Sequence, residues 1–141
     1  MDVAALLSEN QLFRNLGKSE IELISRSTRL DGFQAGQVIV REGRVGAAFF
    51  IIVSGSVEVV KGLGSPQETV LAKLGPGEFF GEISTVKHLP RSASVRATED
   101  SDCLVIRRTD FEAFISQFPG AAIKVEAAAR ARLAELKGPR E

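Results

Sequence analysis

Between Thr28 and Arg107 the chain is a series of short apolar runs cut apart by glycines, and no other pattern in it restricts the fold as much. The runs are Val38 to Arg41, Ala48 to Val53, Ser56 to Val60, Thr69 to Leu74, Ala93 to Ala97 and Cys103 to Arg107. β-Branched and aromatic residues dominate them, and such side chains suit a pleated, half-buried surface. Turn residues stand between them at Gly36, Gly43, Gly46, Gly55, Gly62, Gly64-Ser-Pro66 and Gly75-Pro-Gly77. Many short strands at near-regular spacing predict a sandwich, jelly roll or barrel. No strand–helix alternation is present, which argues against a doubly wound sheet.

Helical patterns flank this region. Asp2 to Ser27 carries apolar clusters at Leu6, Leu7, Leu12, Phe13 and Leu16, with Ser19 reading as the N-cap of a second helix. After the strands, Thr109 reads as the cap of a helix with Phe111, Phe114, Ile115 and Phe118 on one side, and Pro119-Gly120 breaks or bends it. A last helix, from Ala121 to Lys137, is alanine-rich with a thin stripe at Ile123, Ala127, Leu133 and Leu136, and Gly138-Pro139 ends it. The expected organisation is one domain over residues 1–141: N-terminal helices in 1–27, the β-roll in 28–108, and a hinge with a final helix in 109–137.

Whole-chain properties narrow the function classes. Eighteen basic and eighteen acidic residues leave a formal net charge of zero, so no global field recruits nucleic acid or an anionic membrane. Any anion site must be local. One cysteine, Cys103, cannot form an internal disulfide, which fits a reducing cytoplasm; it sits in an apolar run and reads as a small core residue. The longest apolar stretch is well short of the about 18 residues that span a bilayer. A single histidine, His88, cannot build a multi-histidine metal centre, and the serines at Ser92 and Ser94 have no base nearby in sequence. The expectation is therefore a protein with no catalytic activity and no metal or other cofactor.

Complementary chemistry is concentrated between Phe80 and Val95. Gly81 permits close approach of backbone to a ligand. The residues after it can open a short helix, whose first N–H groups lack partners within the helix and attract an anion. Arg91 adds a planar, permanently charged donor fork suited to phosphate oxygens. Glu82 only accepts hydrogen bonds, so it suits hydroxyls and repels phosphate. A ribose phosphate satisfies both.

Phe80-Gly-Glu82, a short helix and turn, then Pro90-Arg-Ser-Ala-Ser-Val95 resembles the phosphate-binding cassette of cyclic-nucleotide-binding domains, the family of protein kinase A regulatory subunits, cyclic-nucleotide-gated channels and the bacterial catabolite activator. The nine-residue offset from Glu82 to Arg91 matches the family spacing. Gly36, Gly43, Gly46 and Gly55 likewise resemble the glycine pattern of the family's β-roll, so the similarity covers most of the chain. Ser84-Thr85 departs from the Ala-Leu often found there. The resemblance implies a β-roll (double-stranded β-helix) with N-terminal helices, a short cassette helix and two C-terminal helices. It implies a ligand site at Phe80, Gly81, Glu82, Ile83, Ser84, Arg91, Ser92 and Ala93. Glu82 would hold the ribose 2′-hydroxyl and Arg91 the cyclic phosphate. The last helix corresponds to the family's lid, and Arg130 is favoured over Arg132 to cap the base.

The function so implied is a cytoplasmic sensor of cAMP or cGMP, with no nucleic-acid partner and no membrane insertion. A homodimer through the C-terminal helix, or an unidentified downstream protein, is the expected partner. Two other readings stay open: a ligand-free β-roll that serves as an interaction module, and an effector domain excised from a larger transcription factor or channel.

Overall fold

The computed structural model describes residues 2–43, 48–81 and 93–137. Helices α1 (Val3–Glu9) and α2 (Lys18–Ser25) precede the strands β1 (Thr28–Phe33), β2 (Val38–Val40), β3 (Ala48–Ser54), β4 (Val57–Lys61), β5 (Thr69–Leu74), β6 (Phe79–Gly81), β7 (Ser94–Ala97) and β8 (Ser101–Arg107). Helices α3 (Arg108–Gln117) and α4 (Pro119–Lys137) follow. The strands form two four-stranded sheets, in the orders β1-β8-β3-β6 and β2-β7-β4-β5, and every pairing is antiparallel. This is the expected β-roll with helices at both ends of the chain.

Period-two alternation sorts the side chains of the first sheet into two cores. On β3, Phe49 and Ile51 face the helices, whereas Ile52 joins the interior between the sheets. On β8, Leu104 and Ile106 face the helices, while Cys103 and Val105 face inward. Phe79 and Phe80 of β6 divide the same way. A sheet covered on both faces needs apolar residues at successive positions, which explains the unbroken runs in β3 and β8. The second sheet is covered on one face. Val57 and Val59 of β4 point inward, and Glu58 between them lies outside and pairs with Arg96.

Two strands were not among the sequence's apolar runs. β1, Thr28-Arg-Leu-Asp-Gly-Phe33, is half exposed and polar, and it becomes a strand because β8 pairs with it from Thr28↔Ile106 to Phe33↔Ser101. β6 is only three residues long and is held by β3. At the β3–β4 turn, Gly55 has φ +91°, and a Cβ there would stand 2.7 Å from the Asp100 carbonyl oxygen. Only glycine fits that corner.

Helix boundaries correct two expectations and bear out a third. Ser19 is inside α2 and not its cap: Gly17 is the N-cap, and its N–H donates to Glu20 Oε1 at 2.7 Å. Thr109 also lies inside its helix, which starts at Arg108 with Arg107 as the N-cap, two residues earlier than expected; Arg107 Nε donates to Asp110 Oδ2 at 2.9 Å. At α2 the first-turn carboxylate accepts the N-cap N–H, whereas at α3 it pairs with the side chain of the N-cap residue and leaves the helix start without a side-chain cap. The break at Pro119 is real, with Phe118 alone between α3 and α4. Proline opens α4, where its missing N–H removes no helical bond.

In the first half of α4 the anchoring face differs from the expected stripe, and the side chains of Leu133 and Leu136 lie outside the described residues. Ala121 and Val125 are fully buried and Ala128 packs beside them, whereas Ile123 is 71% exposed and Ala127 is exposed. Spacings of four and three put Ala121, Val125 and Ala128 on one face, against the helical-side core that Phe111 and Phe114 fill. In an alanine-rich helix the small residues give close contact, so size did not mark the inner face. Val125→Ala should lower unfolding stability by about 2 kcal/mol in denaturant titrations. Ile123→Ala should change it by less than about 0.5 kcal/mol; the reverse order would restore the original stripe.

Candidate functional site

The two described ends of the cassette segment belong to different sheets. Gly81 closes β6, paired with Phe49 in the first sheet, and Ser94 opens β7, paired with Val60 in the second. The chain between them therefore leaves one sheet and rejoins the other. Glu82, Ile83, Ser84, Arg91 and Ser92 lie outside the described residues, as does His88. The framework that delivers them is described on both sides.

Phe80 is 1% exposed and stacks on Phe50, with ring centroids 4.8 Å apart and planes 5° from parallel. Phe50 in turn meets the edge of Phe33 at 6.1 Å. Ala93 is equally buried and shares the inter-sheet core with Phe80. Both residues are thus walls of the sandwich, fixing where the segment departs and where it returns. Gly81 has φ +99°, and a Cβ on it would lie 2.6 Å from the Ala48 carbonyl oxygen. The sequence reading gave this glycine to ligand approach. The structure adds a reason internal to the fold: β6 can lie this close to β3 only without a side chain there.

Arg130 stands on α4, with its guanidinium 3.2 Å from Glu126 Oε2 one turn earlier and its side chain 60% exposed. The anchor of α4 belongs to the helical-side core, while Phe80 and Ala93 belong to the core between the sheets. Among the described residues the structure thus brings Phe80, Gly81 and Ala93 together around β6 and β7, and Arg130 is carried by a separate element.

Charge on the outer face of the second sheet is organised around β7. Arg96 donates to Glu58 at 2.9 Å and to Glu68 at 3.3 Å. The bond to Glu58, its cross-strand partner, is the main cause that raises the guanidinium pKa further. Glu68 also accepts from the Gly64 N–H at 2.9 Å, which with Arg96 lowers its pKa. The turn between β4 and β5 is thereby tied to β7. Two contributors at the cassette's exit were not singled out from sequence. The Ser94 hydroxyl, on a residue 3% exposed, accepts the Glu42 N–H at 2.9 Å. Residues 52 positions apart make this bond, and no local pattern announces it.

Cys103 is a free thiol with no exposed surface, in the core between the sheets. Burial, aided by the Asp102 and Asp31 carboxylates, pushes its pKa up to about 12. A thiol held neutral this way is no nucleophile. Among the described residues no group of three metal-ligating side chains occurs, and no helix is long and apolar enough to cross a membrane.

Comparison with known proteins gives consistent relatives. The sequence pattern of the cyclic nucleotide-binding domain matches residues 31–118. The chain is 36% identical, over 88% of its length, to the cyclic AMP receptor protein of Thermus thermophilus, and spans 57% of that relative. It is 34% identical, over 76% of its length, to human cGMP-dependent protein kinase 2, and spans 14% of that protein. Among solved structures, the regulatory domain of Toxoplasma gondii PKA co-crystallised with cAMP superposes with a TM-score of 0.69 at 27% identity, covering 79% of this chain and 42% of that one.

The buried thiol generates a pH test. Its folded pKa is raised, so the unfolded chain releases the proton first. Stability from this group is intact below the ordinary thiol range and is lost as pH rises from about 9 toward about 12. Cys103 should resist a thiol reagent at pH 8 in the folded protein and react at once in denaturant. Rapid labelling of the native protein would contradict its burial.

Proposed function

The chain belongs to the cyclic nucleotide-binding domain family, and from that premise we propose that it is a non-catalytic sensor of a 3′,5′-cyclic mononucleotide. The observation that carries the reading is the pairing of Gly81-Glu82 with Arg91-Ser92 in one segment, whose two ends are set by β6 and β7 on different sheets. In this reading the cyclic phosphate takes the N–H groups of Gly81, Ile83 and Ser84 together with Arg91 and Ser92, and Glu82 takes the ribose 2′-hydroxyl. Phosphate in an electrically neutral protein requires this local convergence of donors. Either cAMP or cGMP fits it: one relative is named for cyclic AMP and another for cGMP.

α4 is the lid of the proposed sensor. Among the described residues Ala121, Val125 and Ala128 pack it against the core and Lys124 Nζ donates to the Asn15 carbonyl at 3.2 Å, and the Phe118–Pro119 joint frees it to swing as a unit. Arg130 reaches the base after releasing Glu126, an exposed pair of the kind worth about 0.3–0.5 kcal/mol. Closure follows only from tighter binding to the closed form, and a tenfold shift needs about 1.4 kcal/mol of difference. The outer face of α4, with Ile123 and Ala127 exposed, is where a second copy or a downstream protein engages. The reduced, buried Cys103 suits a cytoplasmic setting.

Titration of the protein with cAMP and with cGMP by calorimetry tests the proposal, and no saturable heat with either would leave a ligand-free interaction module in its place. Arg91→Ala should weaken binding by at least about 2 kcal/mol as the phosphate loses its charged fork. Unchanged affinity would remove Arg91 from the site. A 2′-deoxy nucleotide should bind about 1–3 kcal/mol more weakly, because Glu82 then has no hydroxyl to accept from. Equal binding of the two sugars would remove Glu82.

A further inference from the structure

β2, β7 and β4 lie side by side in the second sheet, and Glu42 spans all three. It follows β2, which pairs with β7 at Val40↔Val95. Its backbone N–H donates to the hydroxyl of Ser94, the first residue of β7. Its carboxylate then passes over that strand end to the far neighbour. Oε1 accepts the Gly62 N–H at 3.0 Å, and Oε2 stands 3.4 Å from Lys61 Nζ, both at the end of β4. Ser94 is itself the cross-strand partner of Val60 on β4. One residue thus staples three strand ends at the point where the chain returns from Arg91, three positions earlier.

The two bonds differ in kind. The carboxylate bonds are solvent-accessible, and the Gly62 N–H is the main cause that lowers the Glu42 pKa, so the group stays ionised at neutral pH. The Ser94 bond ends on a buried hydroxyl. Deleting that oxygen removes the acceptor that the Glu42 N–H has here. The Glu42 carboxylate repels phosphate and already faces two donors within the protein, and the Ser94 oxygen accepts the Glu42 N–H.

We propose that Glu42 and Ser94 are positioning residues for nucleotide binding: together they fix the exit of the phosphate-binding segment and couple it to the β4–β5 turn. The proposal rests on the cyclic-nucleotide reading above and adds residues that do not touch the ligand. The coupling runs from Ser94 through the backbone and side chain of Glu42 to Gly62, so loosening one end loosens the other.

Three variants and two measurements decide it. Ser94→Ala deletes the buried acceptor, Ser94→Thr keeps it, and Glu42→Ala deletes the carboxylate on an exposed residue where folding is not at risk. Amide exchange by NMR is followed at residue 42 and Gly62, and calorimetry follows cAMP and cGMP. Ser94→Ala should speed exchange at both amides and weaken binding by about three- to tenfold. Glu42→Ala should weaken it similarly, and Ser94→Thr should restore both readouts. Release of the residue 42 amide with Gly62 unchanged would overturn the coupling. Wild-type binding with both alanine variants within twofold of it would overturn the positioning role while leaving the sensor reading intact. A wild-type protein that binds neither nucleotide would overturn the sensor reading, and this proposal with it.

Discussion

Pairing of β3 with β8 is the interaction on which the remaining structure depends. Six residue pairs join the two strands, from Ala48↔Arg107 to Ser54↔Asp102. Both strands are apolar on both faces, so one sheet serves two cores at once. Helices α1 to α4 cover one side and the second sheet covers the other. A register slip of one residue would exchange the contents of the two cores. Phe49 and Phe80 are both fully buried, on opposite sides, and neither core has room for the other's set. β1 and β6 exist as strands because this pair offers them edges.

The candidate site inherits its position from that pair. β6 hangs on β3 through a glycine that permits backbone contact, and it ends where the proposed phosphate-binding segment begins. β7 receives the segment in the other sheet, where β2 and β4 hold it on both sides. A segment fixed at two ends on two sheets can present amide N–H groups and a guanidinium to one anion without a large internal scaffold. Several charges elsewhere on the described surface are paired: Arg96 with Glu58 and Glu68, Arg107 with Asp110, Arg29 with Asp31. Local convergence, not net charge, is what an anion would meet.

Much of this was legible in the residues. Strand runs with β-branched and aromatic content identified six of the strands closely, and the phenylalanine face of α3 was correct because bulky residues at helical spacing have few alternatives. Caps were less legible. Ser19 and Thr109 are good capping types, yet the N-caps are Gly17, whose N–H Glu20 accepts, and Arg107, whose side chain pairs with Asp110. The face of α4 was misread because alanine is nearly neutral in hydrophobicity, so contact geometry chose Ala121 and Val125 over the larger Ile123.

Residue order alone determined the β-roll class, the family resemblance, the break at Pro119 and the pairing of a carboxylate with a guanidinium nine positions apart. The break follows from ring closure in proline and the strands from short-range periodicity, while the β-roll class follows from the motif resemblance. Tertiary structure alone decided why Gly81 must be bare against Ala48, which side of α4 is buried, and that Glu42 reaches over Ser94 to Gly62. Each of those depends on atoms far apart along the chain meeting at a few ångströms, and chain folding sets such distances where no local pattern can.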